Sequence, residues 1–418
     1  MLPDSMTDPH DRLAFFLATD ALKEVQRANW IQSRQRLETV AEHCWHVTLL
    51  AMLFEDCAPD GADLNHVRDL LTVHDLVEIH AGDTNVWDDD LRQSQAEREL
   101  AAGERLMKLL PAGDMARLDV LWREYQAQES EEARFARAID SLHPVLMQWA
   151  DGGFGHPNKA ITPSRLLQRK KPLIEPYPEL WALLNDVVWR SAQCGRLPAD
   201  DESGKRDEAA SSMLEPRLAF FFATDALKEV QRANWVYTRP RQENVAEHSW
   251  HVLLLAMLLA DAAPEGVDHN HVRDLLIIHD LVEVYAGDTP IWDDALRVDE
   301  AEREMVAGER LMALLPDDIL PRFDPLWREY QAQKTEEARF ARAIDTLHPL
   351  LMSWSGGGHG HSNETITPAK LIERKRPTIA AYPVLWELVF RIIQDAVDRG
   401  ALPADEAMQR REKPSNAR

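Results

Sequence analysis

The chain has 418 residues, a formal net charge of −24 and 3 cysteines. Such acidity repels polyanions and no basic face or excess is visible to offset it, which argues against a nucleic-acid polymer as partner. An odd, scarce cysteine set excludes a disulfide framework and suits a reducing compartment. No run reaches the roughly twenty apolar residues of a membrane span, and MLPDSMTDPHDR lacks a basic-then-apolar leader, so a soluble, cytoplasmic protein with no membrane partner is expected.

Residues 12–197 and 217–402 are one sequence written twice, in register at an offset of 205: Trp30 falls on Trp235, Trp87 on Trp292, and Thr162-Pro163 on Thr367-Pro368. The cysteines Cys44, Cys57 and Cys194 are not repeated; they meet Ser249, Ala262 and Arg399. A unit this long is a duplicated domain, large enough to bury its own core. The expected organisation is a first domain over 1–197, a flexible polar linker over 198–216, a second domain over 217–402 and a disordered tail over 403–418.

Helical periodicity dominates each copy, and no alternating strand run stands out, so the predicted class is all-α, two tandem helical bundles. In chain order, DRLAFFLATDALKEVQ (11–26) reads as a first helix, with Leu13, Phe16, Leu17, Leu22 and Val25 near one face. LETVAEHCWHVTLLAMLFEDC follows as the central buried helix. HVRDLLTVHDLVEIHAGD is a third, ended by the Ala-Gly-Asp turn at 81–83. SQAERELAAGERLMKLL is amphipathic and stops at Pro111. RLDVLWREYQAQ and SEEARFARAIDSLHPVLMQW come next, the second opening at a Ser130 cap. A glycine-rich loop, DGGFGHPN or SGGGHGHSN, precedes TPSRLLQRKKP and a last helix through Trp181 and Trp189.

Within those helices stand His43, His74, Asp75 and Asp140, repeated as His248, His279, Asp280 and Asp345. An ionisable side chain among apolar neighbours is costly unless it is paired, hydrogen-bonded or metal-bound. In Leu71-Thr72-Val73-His74-Asp75-Leu76-Val77, adjacent His and Asp cannot both reach solvent. One divalent cation per domain resolves this: neutral imidazoles and carboxylates are its natural ligands, and open positions remain for water. A set of two His and two Asp suits Mn, Fe, Co, Zn or, less comfortably, Mg. Any one of these residues alone reads more simply as a satisfied core group; the joint pattern, present twice, does not. Glu78, four residues after His74, shares its helix face and is within reach of a metal-bound water.

The motifs LKEVQRANW…ETVAEHCWH (22–46), VHDLVEIHAGD (73–83) and LLP…LWREYQAQESEEARFARAID (109–140), with their second copies, resemble the HD-domain phosphohydrolase superfamily over nearly all of each copy. Around the ligands the likeness is to bacterial 5′-deoxynucleotidases and their eukaryotic HD-domain-containing-2 relatives. The resemblance implies an all-α fold and one divalent metal per domain on the two ligand sets above. It also implies release of phosphate from a deoxynucleoside 5′-monophosphate, a small-molecule partner. Carried residue by residue, it gives Glu78 and Glu283 an acid/base role and makes Asp83 and Asp288 active-site aspartates. Arg27 and Arg232 become phosphate contacts, with Trp30 and Trp235 beside the nucleotide. Ala28-Asn29 separate arginine from tryptophan here, as in the eukaryotic relatives, whereas the bacterial enzymes place them side by side; selectivity for base or sugar is left open. The resemblance further suggests that the two copies pair as an intramolecular pseudo-dimer.

Other readings attach to particular residues. Arg36 and Arg241 are secondary phosphate candidates. A second metal would need extra histidines, yet only His80 lies between the HD pair and the last Asp of the first copy, and Tyr285 replaces it in the second. His66 and His271 read as caps or surface residues, and His156 and His361 as loop residues. The alternatives to deoxynucleotide hydrolysis are another nucleotide or small phosphate ester, or one catalytic and one structural copy.

Overall fold

The computed structural model describes residues 8–150, 160–198, 214–238, 241–356 and 365–405. The glycine-rich loops with His156 and His361, all but the ends of the expected linker, and the chain beyond 405 lie outside the described residues.

The first half runs α1 (Leu13–Thr19), β1 (Gln26–Trp30), β2 (Leu37–Thr39), α2 (Val40–Leu53), α3 (Leu64–Val73), α4 (Glu78–Ala81), α5 (Asp89–Gln93), α6 (Gln95–Met107), α7 (Ala112–Ala127), α8 (Glu131–Trp149), α9 (Pro163–Ile174) and α10 (Pro178–Gln193). The second runs α11 (Glu215–Thr224), β3 (Gln231–Trp235), β4 (Gln242–Asn244), α12 (Val245–Leu258), α13 (His269–Ile278), α14 (Glu283–Ala286), α15 (Glu300–Met312), α16 (Leu320–Ala332), α17 (Glu336–Trp354), α18 (Pro368–Ile379) and α19 (Pro383–Asp398). The class is all-α, with one two-stranded antiparallel ribbon per half, β1 with β2 and β3 with β4.

Two expectations are corrected here. The first helix does not continue to residue 26: α1 tightens into a 3₁₀ turn over Asp20–Glu24, and the chain then extends into β1. The ribbon turns at Arg34, which adopts φ 66°, and its strands are too short for an alternating pattern to show. The third helix is not continuous either. It stops at Val73, residues 74–77 form tight turns, and a single helical turn begins at Glu78. The cause is local: the His74 ring donates from Nδ1 to the Leu71 carbonyl at 2.8 Å, an acceptor that a continuing helix would give to the Asp75 N–H.

The central helix α2 is buried along its whole length. A reciprocal cap fixes its start: Thr39 accepts from the Glu42 N–H while Glu42 accepts from the Thr39 N–H. Asn244 and Glu247 do the same for α12.

Most buried apolar residues of both halves form one connected core, with Val77, Ala102 and Trp122 in a small cluster of their own. Contacts between the halves come in pairs related by the 205 offset. Trp45 donates to the Ile277 carbonyl at 3.2 Å, and Trp250 to that of Thr72 at 3.0 Å. Arg68 pairs with Asp274 at 3.0 Å, and Arg273 with Asp69 at 2.8 Å. Arg12 grips Asp261 and the Leu258 carbonyl; Arg217 grips Asp56 and that of Leu53. The entry segment of each half also reaches across: Phe16 stacks on His251 at 4.0 Å between centroids, and Phe221 on His46 at 4.1 Å.

Candidate active site

Helices α2, α3 and α8 bring His43, His74, Asp75 and Asp140 to one point. His43 Nε2 lies 3.1 Å from Asp140 Oδ1 and 3.9 Å from Asp75 Oδ2. His74 Nε2 lies 3.1 Å from Asp75 Oδ2 and 4.0 Å from Asp140 Oδ1. In the second half the corresponding four distances are 3.1, 3.7, 3.1 and 3.9 Å.

The chemistry of this donor set fits a cation. With the His74 ring neutral, its one proton goes from Nδ1 to Leu71 and Nε2 carries a lone pair. That atom is buried with no hydrogen-bond partner, as is Nε2 of His279. Each therefore aims a lone pair at a carboxylate oxygen, an arrangement that repels unless positive charge sits between them. Tyr125 donates to the other oxygen of Asp140 at 2.8 Å, and Tyr330 to that of Asp345 at 3.1 Å, which fixes the carboxylate planes. Pro144, four residues after Asp140, withholds the N–H that would bond the Asp140 carbonyl; Pro349 does the same after Asp345.

A cavity opens over each constellation, about 460 Å³ in the first half and about 190 Å³ in the second. Arg27, Glu78 and Asp83 line the first, and Arg232, Glu283 and Asp288 the second. Gly82, at φ 74°, supplies the backbone turn that delivers Asp83, a conformation an L-residue with a side chain resists. Arg27 Nη1 sits 3.2 Å from Asp75 and 3.9 Å from Asp83. Arg232 Nη1 sits 3.0 Å from Asp280 and 3.4 Å from Asp288. Behind them Glu38 and Glu243 approach the same guanidinium groups at 3.5 and 3.6 Å. Burial pushes the Glu78 and Glu283 carboxyls well up, and neighbouring aspartates push the same way, against the pull of Arg27 and Arg232.

The structure does not bring Trp30 or Trp235 to the cavity wall. Trp30 is 43 % exposed, and it is Arg27 and Asn29 of β1 that line the first cavity. Arg36 and Arg241 also lie elsewhere. They pair with Glu42 and Glu247 and reach carbonyls of the opposite half, Lys228 and Lys23, so they are interface residues. His80 is exposed, and His66 and His271 pair with Glu124 and Glu329 at 2.8 Å each.

Several residues of the site escaped the sequence reading. Trp87 and Trp292 form part of the cavity walls, approached on their ring faces by Arg169 at 4.8 Å and Arg374 at 5.4 Å. Lys170 and Lys375 also line the cavities, bonded to Ser141 Oγ and the Thr346 carbonyl. Burial, opposed by Asp140 or Asp345 and aided by nearby arginines, pulls each ammonium down to about 8. The available signal was a lysine held in both copies on the apolar, buried face of a basic helix.

A family model described as the HD domain matches residues 19–181 and 224–386, and the chain belongs to that family. It is a tandem HD-domain protein of the metal-dependent phosphohydrolase superfamily. Among curated proteins it is similar to the 5′-deoxynucleotidase HDDC2 of Xenopus laevis, 30% identical over 146 residues that span 35% of this chain and 71% of that one. It is also similar to a 5′-deoxynucleotidase of Vibrio atlanticus (strain LGP32), 27% identical over 191 residues, 43% of this chain and 97% of the other. A solved structure of a predicted metal-dependent phosphohydrolase from Magnetospirillum magnetotacticum MS-1 shares 39% identity, covering 46% of this chain and 96% of its own, with a TM-score of 0.41.

Proposed function

We infer that each half hydrolyses a phosphate monoester, with a deoxynucleoside 5′-monophosphate as the substrate class. The observation that carries the reading is the buried, unpartnered Nε2 of His74 and of His279, each facing two carboxylates beneath an arginine-bearing cavity. His43, His74, Asp75 and Asp140 would hold one divalent cation, and His248, His279, Asp280 and Asp345 a second. Bound there, such an ion lowers the pKa of a water and offsets phosphate charge.

The protein's own groups supply the rest. Arg27 offers a planar fork to the phosphate oxygens, and phosphate charge would replace the aspartates it now faces. Glu78, whose burial favours the protonated form, is suited to deliver a proton to the departing sugar oxygen. Asp83 holds Arg27 in place. Trp87 presents an aromatic wall for a base, the role the resemblance gave to Trp30. The reciprocal contacts across the halves support a covalent pseudo-dimer, the arrangement expected of two fused copies.

The test is phosphate release from deoxynucleoside monophosphates and other phosphate monoesters, with Mn²⁺ or Co²⁺ added, in the parent chain, His74→Ala, His279→Ala and the double variant. Each single variant is expected to retain about half the turnover and the double variant essentially none. Full activity in the double variant would sink the reading. Loss confined to one single variant would make the other half the structural copy.

A further inference from the structure

In each half one of the two site histidines, His43 or His248, is continued away from the cavity by two more buried histidines. His43 Nδ1 lies 3.3 Å from His143 Nδ1, and His143 Nε2 lies 3.0 Å from His46 Nδ1. His46 Nε2 then lies 3.2 Å from the carbonyl oxygen of Phe221, a residue of the opposite half. The second half repeats the row: His248 to His348 at 3.1 Å, His348 to His251 at 3.1 Å, and His251 Nε2 to the Phe16 carbonyl at 3.1 Å.

A carbonyl oxygen only accepts, so the proton of His46 sits on Nε2 and its Nδ1 is left as an acceptor. Two further contacts demand the same state. Thr224 spends its hydroxyl proton on the Phe221 carbonyl at 2.7 Å, so its oxygen faces His46 Nε2 as a lone pair at 3.4 Å. Lys228 Nζ, a donor without lone pairs, sits 3.0 Å from His46 Nδ1. With Nδ1 of His46 unprotonated and 3.0 Å away, a neutral His143 presents Nε2–H to it, sharing that lone pair with Lys228, and its own Nδ1 becomes an acceptor. That acceptor takes the Nδ1 proton of His43. Glu38, at 3.9 Å from His43 Nδ1, is too far to take it instead. His43 Nε2 is left bare, facing Asp140.

We propose that each metal centre is set from the other half: the Phe221 carbonyl and Lys228 fix the tautomers of His46, His143 and His43, and the Phe16 carbonyl fixes those of His251, His348 and His248, with Lys23 acting there through Glu243. The intervening histidines and lysines are positioning residues. Lys228 also holds Glu38 at 2.8 Å, and Lys23 holds Glu243 at 2.9 Å, behind the ligand histidine and the cavity arginine. Stacking of Phe221 on His46 and of Phe16 on His251 keeps the terminal rings in plane. A ligand histidine ordinarily passes its spare proton to a nearby carbonyl or carboxylate; here the row of rings ends on a carbonyl of the other domain.

The inference rests on the metal reading of the site, and two measurements separate them. Ring-nitrogen NMR of the full chain labelled with [¹⁵N]histidine, with and without Zn²⁺, reads the tautomers directly. His46 and His143 are expected to carry Nε2–H and His43 Nδ1–H; a proton on His43 Nε2 or on His46 Nδ1 in the metal-free chain overturns the proposal. The second measurement is Co²⁺ titration followed by its visible absorption, in chains reduced to one site. In His279→Ala, Lys228→Met is expected to weaken Co²⁺ binding about tenfold, several times more than Lys23→Met does, with Lys228→Arg recovering most of the loss. In His74→Ala the order of the two lysine variants reverses. Equal losses in both backgrounds, or none, refute the crossed arrangement while leaving the metal sites standing. Failure of the parent chain to bind Co²⁺ at all refutes the metal reading itself.

Discussion

At the residue scale, the His and Asp residues that the structure gathers were legible because the sequence places ionisable groups where only a partner could make them tolerable. His74 and Asp75 among leucines and valines are the plainest case, and the structure shows the cost directly as an unpartnered buried nitrogen. Trp30 was misplaced for the opposite reason: a tryptophan's proximity in sequence to an arginine says nothing about its side of a strand that the periodicity did not reveal. His46 and His143 were invisible as a pair because nothing in a linear sequence joins positions that meet only through folding. Lys170 carries a prediction here. In a chain bearing His279→Ala, Lys170→Met should raise KM for the phosphate monoester roughly tenfold, the worth of one charge-assisted hydrogen bond, with kcat less affected. Since the ammonium titrates at about 8, it is charged below that pH and neutral above it. The KM of the unsubstituted lysine should therefore climb above pH 8, while the methionine variant shows no such step.

At the element scale, caps and prolines were readable and placed most helices correctly. Ser130 accepts from the Ala133 N–H where the sequence put a helix start, and α6 ends short of Pro111. What failed was continuity. The helix carrying the HD pair breaks because a side chain competes for a backbone acceptor, an event that residue propensity does not encode. Packing between elements adds a test. In α15, a Cβ on Gly308 would come within 2.1 Å of the buried Trp327 ring, whereas the matching Gly103 in α6 leaves 3.3 Å to Trp122. Gly308→Ala should destabilise the chain by about 1–3 kcal/mol through overpacking, read as a lowered Tm, and Gly103→Ala by clearly less. Equal shifts would mean that the Trp327 ring moves aside freely.

At the scale of the whole molecule, the duplication was legible to the residue, but the shared core and the reciprocal grip were not, since both depend on surfaces that meet in three dimensions. Their centre is an acidic pair: Asn244 donates to Glu42 and Thr39 to Glu247 across the halves. Burial, reinforced by Glu42 and opposed by Arg241, pushes Glu247 up to about 7. An unfolded glutamate titrates near about 4.3, so between those values the folded chain holds a proton that the unfolded chain has released. Stability from this group is complete below the lower value and is lost as pH rises through the upper one. Glu247→Gln should accordingly gain on the parent in Tm between pH 5 and 7.5; a difference that stays constant across that range would exclude the effect. Fusion has one more consequence. In a pair of identical subunits every mutation appears twice, so both pockets must drift together. Here Gln148, hydrogen-bonded to Asn29, has Ser353 as its counterpart, and the cavities already differ in volume by about a factor of two. Joined in one polypeptide, each pocket is free to diversify while its twin preserves the ancestral chemistry.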